Sequence, residues 1–237
     1  MKSRMVPPKP IRSDFDAMAT QTDIAPREVL VGPHQLQALL SVPHDAAGLV
    51  IFAHGSGSGR LSPRNNHVAQ ALQAYGQATL LLDLLTPAEE QDRGNVFDIN
   101  LLASRLKSAA TWAREEPELR DLPIGYFGAS TGAAAALVAA SNDANIAAIV
   151  SRGGRPDLAR EALRLVSAPT LLLVGSLDGP VITLNQAAFM ALTCPKKILI
   201  VPGAGHLFEE PGTLDQVIGH ARKWFAIHFA QHAAREE

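Results

Sequence analysis

The sequence predicts an α/β domain, with a mostly parallel sheet, an antiparallel N-terminal edge and helices on both faces. Two observations carry this prediction. Short apolar runs such as GLVIFAH (48–54) have the continuous hydrophobicity of strands that are buried on both faces. Segments of helical length then alternate with these runs along the rest of the chain. Repeated strand–helix units indicate parallel strands, because each helix returns the chain to the edge where the previous strand began.

Composition limits the number of domains and the class of partner. The chain has 237 residues, of which 47% are hydrophobic, and this is enough for one substantial core in residues 25–237. Residues 1–24 are rich in proline and charge, so we expect a mobile N-terminal arm there. A formal net charge of -2 predicts no general attraction to nucleic acid or to an anionic membrane. The single cysteine and the lack of a long apolar run lead us to expect a cytoplasmic protein.

The predicted elements begin with a hairpin, since the alternating segments REVLVG and HQLQALLSV flank Gly32-Pro33. The strands predicted after it are the apolar runs 48–54, 78–83, 122–127, 146–151, 170–174 and 197–201. The predicted helices are 65–75, 99–115, 131–140, 158–165, 182–192 and 213–229. The polar stretch at 86–98 is expected to be a loop.

A serine stands at the predicted junction between strand 122–127 and helix 131–140, in the sequence GASTG (128–132). A tight strand-to-helix turn holds a serine hydroxyl away from the backbone, and the flanking glycines leave room for the strained conformation. Ser130 is therefore the candidate nucleophile. The alternative is a glycine-rich turn whose serine only caps the helix. The strand and the helix that the motif requires are both predicted here, which favours the nucleophile.

An activated serine needs a base and an orienting acid at the same edge of the sheet. His206 follows the last predicted strand in the glycine-flanked sequence PGAGH (202–206), and Asp178 follows the strand before it. We predict that His206 is the base and that Asp178 orients it. Asp157, in the loop after strand 146–151, is the competing acid. The order of the strand–helix units favours Asp178.

The loop after strand 48–54 reads HGSGSGR and is rich in glycine. Glycines let backbone N–H groups turn toward a bound anion where side chains would obstruct them. We predict an oxyanion hole formed by the N–H of Ser56, or of Gly57, together with the N–H of Thr131. A phosphate-binding loop is the alternative, but HGSGSGR matches neither common glycine-rich phosphate motif. His54 is expected to be structural, with its ring bonded to the backbone of this loop.

Arginines in the loops around the predicted site lead to the hypothesis that the substrate carries an anionic group. A guanidinium binds a carboxylate or a phosphate through two parallel hydrogen bonds. Arg60 and Arg152 are the candidate substrate-binding residues. The arginines of these loops are Arg60, Arg64, Arg93, Arg152 and Arg155. The alternative is that they are solvated loop arginines in ion pairs with Glu89, Glu90 or Asp92.

Over residues 27–229 the chain resembles the α/β-hydrolase superfamily, and within it the dienelactone-hydrolase-related group of small bacterial serine hydrolases. The segments that carry the resemblance are FAHGSGSGRLSPRN, LLLDLLT, LPIGYFGASTGAAAAL, SRGGRPDL and PGAGHLFEEPG. The resemblance implies esterase-type acyl transfer by Ser130, His206 and Asp178. The sequence departs from the group at one point, because dienelactone hydrolases use a cysteine nucleophile, and this argues against a dienelactone substrate. Cys194 lies outside any such turn and is expected in the core.

The resemblance also bears on domain organisation. Members of the group are sometimes found beside, or fused to, phosphoribosyltransferase domains, whose motifs are not visible in this sequence. Many α/β-hydrolases insert a cap after the strand that corresponds to 146–151. Only about twenty residues separate that strand from the next one, so no cap domain is expected.

We expect an enzyme that cleaves carboxylic esters or related acyl compounds through an acyl-enzyme, without a metal or cofactor. The expected partner is a small ester-type substrate. A thioesterase, a lactonase or an acyltransferase would use the same residues. The alternative class is a non-catalytic protein of this fold that binds a ligand or partner, since a fold does not imply a function. The three residues in the order Ser, Asp, His favour the enzyme, because a binding protein has no need of them.

Overall fold

The computed structural model describes residues 25–236, so the arm predicted for 1–24 lies outside the described residues. The strands are β1 (Arg27–Val31), β2 (Leu36–Ser41), β3 (Leu49–Ala53), β4 (Ala78–Leu82), β5 (Ile124–Ala129), β6 (Ile146–Arg152), β7 (Thr170–Gly175) and β8 (Lys196–Val201). The α-helices are α1 (Pro63–Gln73), α2 (Arg93–Phe97), α3 (Ile99–Glu115), α4 (Thr131–Ala140), α5 (Gly179–Ala191) and α6 (Thr213–Glu236). None of these helices has both the length and the apolar character needed to cross a membrane.

The strands form one 8-stranded sheet in the order β1-β2-β4-β3-β5-β6-β7-β8. Strand β2 runs antiparallel to both β1 and β4, and the pairs from β4 to β8 are parallel. The predicted sheet with an antiparallel N-terminal edge is therefore confirmed. Strand β5 lies in the middle of the parallel part. The loops that follow β3, β6, β7 and β8 therefore begin at the same edge of the sheet as the carboxyl end of β5. The parallel strands thus gather the candidate residues at one edge.

Helices cover both faces of the sheet and bury a core on each. One core joins the sheet to α3, α4 and α5 and includes Leu106, Ala135 and Ala188. The other joins it to α1 and α6 and includes Leu72 and Phe225. Continuous apolar strands such as β3, in which every residue is buried, are the expected consequence of this two-sided cover. In the part of the chain that the structure describes, no further domain covers the carboxyl edge.

The structure differs from the predicted elements mainly in two connecting segments. The expected loop at 86–98 contains a 3-10 helix (Glu89–Gln91) and the short helix α2, whose start is capped by the side chain of Asp92. The predicted helix 158–165 is instead a kinked 3-10 segment (Pro156–Leu165), in which Arg160 has a φ of 49°. The short helix predicted here is therefore present, but as 3-10 turns, because a left-handed residue interrupts the α-helical hydrogen-bond pattern.

Candidate active site

Ser130 lies at the turn between β5 and α4 with a φ of 50° and a ψ of -122°. This conformation is strained for a residue with a side chain and costs about 1–3 kcal/mol. Neighbouring glycines allow it. A Cβ on Gly132 would lie 2.2 Å from the Ala53 carbonyl oxygen, and one on Gly128 would lie 2.5 Å from Ala133 Cα. The turn therefore brings α4 directly against the end of β3.

Backbone hydrogen bonds hold the turn from the side of β6. The Ser130 N–H donates to the Arg152 carbonyl at 3.4 Å, and the Ser130 carbonyl accepts from the N–H of Arg155 at 3.0 Å and of Ala133 at 3.1 Å. The segment after β6 is itself anchored by Asn185, whose Nδ2 donates to the Gly154 carbonyl at 3.0 Å. Asn185 is fully buried. The sequence analysis missed Asn185, although a polar residue inside the apolar run VITLNQAAF was a visible signal.

His206 and Asp178 are joined by a hydrogen bond of 2.7 Å between Nδ1 and Oδ2. Their loops are tied together by backbone bonds, since the N–H of Ser176 donates to Val201 at 3.0 Å and that of Leu177 donates to Ala204 at 2.9 Å. Asp178 is the N-cap residue of α5, yet its side chain makes no capping hydrogen bond. The carboxylate, which is only 12% exposed, is thus directed to the imidazole. In this arrangement Nδ1 donates, and Nε2 is left as the basic atom.

Asp157, the competing acid, does not approach His206. Its two carboxylate oxygens accept hydrogen bonds from Nε and Nη2 of Arg155, both at 2.9 Å. Each oxygen of Asp157 is therefore bound by a residue two positions before it. The geometry supports Asp178 as the partner of the base.

His206 lies against the backbone that holds Ser130. A Cβ on Gly153 would lie 2.8 Å from the His206 carbonyl oxygen and 3.7 Å from its Nδ1. Gly153 directly follows Arg152, whose carbonyl accepts the Ser130 N–H. Among the hydrogen bonds of residues 25–236, none joins Ser130 Oγ to His206. Catalytic hydrogen bonds often tighten only in the substrate complex, so a bond between the proposed nucleophile and base is expected to form there.

The glycine-rich loop after β3 lies directly beside the Ser130 side chain. A Cβ on Gly55 would lie 3.0 Å from Ser130 Cβ and 3.7 Å from its Oγ. The next residue, Ser56, donates its backbone N–H to Thr131 Oγ1 at 3.1 Å. The predicted oxyanion donor therefore lies beside the candidate nucleophile, and it already has a hydrogen-bond partner. The sequence analysis did not foresee that partner.

His54 has a structural role, as predicted. Its Nδ1 lies 3.0 Å from the Gly55 carbonyl oxygen, and its Nε2 lies 3.1 Å from the N–H of Leu84. Since a backbone N–H can only donate, Nε2 accepts and Nδ1–H donates, which defines a neutral ring. The imidazole joins the loop after β3 to the loop after β4.

An open cavity of about 690 Å³, here called the oxyanion-side cleft, extends from this loop toward the segment after β4. Gly55, Ser56 and Thr131 line it next to Ser130, whereas Ser130 and His206 do not themselves form part of its wall. Its wall also includes hydroxyl and apolar side chains, among them Ser58, Leu61, Ser62, Leu85, Val96 and Leu102. The wall therefore combines hydroxyl and apolar side chains with the charged side chains of Arg60, Arg64, Asp83 and Glu90.

Most loop arginines have carboxylate partners. Arg60 binds Asp83 through its guanidinium, and its backbone N–H donates to the same carboxylate at 2.6 Å. Arg64 Nη1 lies 2.6 Å from Glu209 Oε1, and Arg155 binds Asp157. These three arginines therefore form ion pairs, but with none of Glu89, Glu90 and Asp92, the partners that the alternative named. Arg93 is exposed at the start of α2.

Arg152 is different, because its guanidinium is buried among neutral partners. The residue is 6% exposed, Nη2 donates to Asn65 Oδ1 at 3.2 Å, and Nη1 donates to the Leu207 carbonyl at 3.4 Å. Within the described range no carboxylate pairs with it, and its Nε lacks a partner. Burial, and secondly the nearby Arg64 cation, lower the pKa of Arg152 to about 10. Arg152 thus ties the start of α1 to the loop that carries His206.

Comparison with known proteins adds the family. No protein-family model matches the chain. A solved structure of dienelactone hydrolase from Anabaena variabilis is 52% identical to it, covers 86% of this chain and 98% of its own, and superposes with a TM-score of 0.82. The chain belongs to the dienelactone-hydrolase-like group of α/β-hydrolases. This confirms the predicted family and fold.

Other relatives of this hydrolase are more distant or much longer. The esterase domain of a Rhodothermus marinus protein shares the fold at 17% identity, with a TM-score of 0.69 over 88% of this chain and 100% of that domain. A Mycobacterium tuberculosis protein, provisionally named a phosphoribosyl transferase, is 55% identical over 202 residues. That match covers 85% of the hydrolase but 46% of the relative, so the chain spans less than half the length of this curated relative.

Proposed function

We propose that this hydrolase cleaves carboxylic esters through an acyl-enzyme on Ser130, with His206 as the base and Asp178 as its orienting acid. The observation that carries the proposal is the 2.7 Å bond between His206 Nδ1 and Asp178 Oδ2, at the sheet edge where Ser130 stands in a strained turn. An aspartate at Nδ1 fixes the imidazole in the orientation and tautomer that leave Nε2 basic. A non-catalytic protein of this fold has no use for such a pair.

The reaction follows from these positions. His206 Nε2 takes the Ser130 hydroxyl proton while Oγ forms a bond to the acyl carbon, and the carbonyl electron pair moves onto its oxygen. The tetrahedral intermediate collapses, the bond to the leaving alkoxide breaks, and His206 gives its proton to the departing alcohol. Water then attacks the acyl carbon with His206 again as the base. This step releases the acid and restores the Ser130 hydroxyl.

Intact mass after incubation with a fluorophosphonate tests the nucleophile. We expect a single adduct that maps to Ser130 and disappears in Ser130→Ala. Ser58→Ala is the matched control, because Ser58 lies in the same cleft but outside the strand-to-helix turn. Its adduct should equal that of the wild type. If the folded wild-type protein forms no adduct, the hydrolase proposal fails, and the alternative of a ligand-binding protein of this fold is correct.

The anionic substrate group stays a proposal and depends on Arg152. Arg60 is already neutralised by Asp83, whereas Arg152 has no carboxylate partner among the described residues. The test compares kcat/KM for a neutral ester and for a matched carboxylate-bearing ester. We expect Arg152→Met to lower the preference for the carboxylate ester and Arg60→Met to leave that preference unchanged. An unchanged preference in Arg152→Met would remove the anionic group from the proposal.

The proposed partner is a small molecule with an ester-type bond, and the proposed chemistry needs only the protein's own side chains. The name of the mycobacterial relative describes a chain that is mostly outside the matched region, so we do not extend phosphoribosyl transfer to this hydrolase. A cytoplasmic location also remains part of the proposal. It rests on the single cysteine, Cys194, which is buried beside Thr170.

A further inference from the structure

The side chain of Thr131, the residue after the candidate nucleophile, lies where the oxyanion hole is expected. Its Oγ1 accepts the Ser56 N–H at 3.1 Å, so one hydroxyl oxygen bridges the two residues that were predicted to donate through their backbones. Thr131 is 6% exposed and forms part of the wall of the oxyanion-side cleft. Its hydroxyl is therefore a buried polar group beside the proposed reaction centre.

The Thr131 hydroxyl accepts a hydrogen bond, but its own O–H donor has no acceptor among the described residues. A threonine hydroxyl has one O–H donor and two acceptor lone pairs. One lone pair accepts the Ser56 N–H, but in residues 25–236 no acceptor receives the Thr131 O–H. A buried donor without an acceptor is unfavourable. A negatively charged oxygen that forms beside Ser130 would be the natural acceptor.

We propose that the Thr131 hydroxyl is a catalytic oxyanion donor. Its O–H donates a hydrogen bond to the negatively charged oxygen, while Oγ1 accepts a hydrogen bond from the Ser56 N–H. This inference rests on the proposed ester hydrolysis. The Ser56 N–H polarises the hydroxyl and makes it a stronger donor, because hydrogen bonds in a chain reinforce one another. The oxyanion then lies between the N–H and the O–H of Thr131. Ser56 contributes through the threonine instead of directly.

A pair of substrates tests the role of the hydroxyl, namely an ester and the thionoester in which sulfur replaces the carbonyl oxygen. Sulfur accepts hydrogen bonds weakly, so an oxyanion donor stabilises the transition state of a thionoester much less than that of an ester. Thr131→Val removes the hydroxyl and keeps the shape of the side chain. We expect it to lower kcat for the ester by about 10²-fold, with KM changed little, and to lower kcat for the thionoester much less. A merely structural defect would lower both rates equally.

Thr131→Ser is the matched control, because it keeps the hydroxyl and should retain the wild-type ester rate within a few-fold. Thermal unfolding checks the fold of each variant, and Thr131→Ala replaces Thr131→Val if the valine variant does not fold. The inference is overturned if the variant without the hydroxyl hydrolyses the ester as fast as the wild type, or faster. That result would mean that the Ser56 N–H binds the oxyanion directly once the threonine no longer occupies it.

Different results would overturn ester hydrolysis by Ser130 and the role of the Thr131 hydroxyl. A wild-type protein that is not labelled at Ser130 by the fluorophosphonate overturns the hydrolase proposal and this inference together. A wild-type protein that is labelled, with an ester-to-thionoester rate ratio that Thr131→Val leaves unchanged, overturns only the role of the hydroxyl.

Discussion

The two sides of the candidate site differ in the burial and the hydrogen-bond partners of their arginines. On the side of β3 and β4, Arg60 lies in the wall of an open cleft and its charge is matched by Asp83. On the side of β6 and β8, Arg152 is buried, donates to the neutral oxygens of Asn65 and Leu207, and lies 5.9 Å from the centre of the Phe208 ring. Both arginines follow or end a strand of the same sheet, so their places in the sequence look alike. The two arginines are distinguished by their burial and their hydrogen-bond partners and not by their residue type. Arg60 lies in the cleft wall, whereas Arg152 holds the loop of His206.

This difference suggests that the two sides contribute different steps to the proposed reaction. The side of β6 to β8, here called the buried side after Arg152, contains Asp178, His206 and the backbone that holds Ser130, so in the proposed mechanism it would orient the proton-transfer groups. In the same mechanism the open side would receive the substrate, because it contains the glycine-rich loop and the cleft. Substitutions of the proton-transfer groups should therefore lower kcat, whereas substitution of the buried Arg152 should change stability and the preference for a carboxylate ester.

The largest expected effect is the loss of the acid on the buried side. Asp178→Asn should lower kcat for an ester by about 10⁴-fold, because an amide at this position favours the wrong tautomer of His206. Steady-state kinetics with a nitrophenyl ester measure the change. Asp157→Asn is the control and should stay within a few-fold of the wild type, since Asp157 binds Arg155 instead. Equal losses in the two variants would contradict the assignment of Asp178.

The next effect concerns the contact between the open side and the nucleophile. A Cβ on Gly55 would lie 3.0 Å from Ser130 Cβ and 3.2 Å from the Ala129 carbonyl oxygen. Gly55→Ala should therefore displace the loop or the serine and lower kcat by about 10²-fold. Gly219→Ala in α6 is the control, because a Cβ there meets no atom within 4 Å. A normal kcat in Gly55→Ala would show that the loop can move without disturbing the reaction.

Stability should distinguish the buried arginine from a paired one. Arg152→Met would leave Asn65 Oδ1 and the Leu207 carbonyl without this donor, so we expect a loss of about 1–3 kcal/mol in the free energy of unfolding. Arg64→Met breaks a pair with Glu209 whose side chains are 35% and 62% exposed, and should cost less than about 1 kcal/mol. Urea unfolding of both variants measures the difference. The contrast between the sides would be lost if Arg64→Met were the more destabilising change.

The smallest effect is a pH dependence near the rim of the cleft. Hydrogen bonds from the N–H and the hydroxyl of Thr86, together with Arg105, lower the pKa of Glu89 below its usual value of 4.5. The Thr86 N–H is the largest cause. Since the pKa is lower in the folded than in the unfolded protein, this carboxylate stabilises the fold above about pH 4.5 and loses that contribution as the pH falls.

Glu89→Gln tests this dependence. Urea unfolding at pH 7 and again below pH 4.5 should show a smaller loss of stability on acidification in the variant than in the wild type. The same loss in both proteins would exclude Glu89 as a contributor to acid sensitivity. Because the carboxylate is partly exposed, we expect this effect to be smaller than those of the active-site substitutions.

Sequence reasoning succeeded where short-range patterns govern the structure. Helix α3 has the predicted bounds because Asp98 caps its start, and α4 has them because Ser130 begins it in a strained turn. The short helix predicted at 158–165 is present as a 3-10 segment, but its kink was not foreseen, since its helical composition gives no sign of the left-handed Arg160. Segment 86–98 was expected to be a loop although it contains helical turns, because capping by aspartate also occurs in loops.

By itself, the sequence determined the α/β architecture, the edge of the sheet that bears the site, and Ser130, Asp178 and His206 as candidates. Apolar runs and helical segments alternate along the chain, and parallel strands bring their carboxyl ends together. Only the tertiary structure decided that Arg60 pairs with Asp83, that Arg152 braces the loop of His206, and that Thr131 Oγ1 binds the Ser56 N–H. These contacts join residues 23, 55 and 75 positions apart. No local pattern encodes them, because they depend on how distant strand ends meet in space.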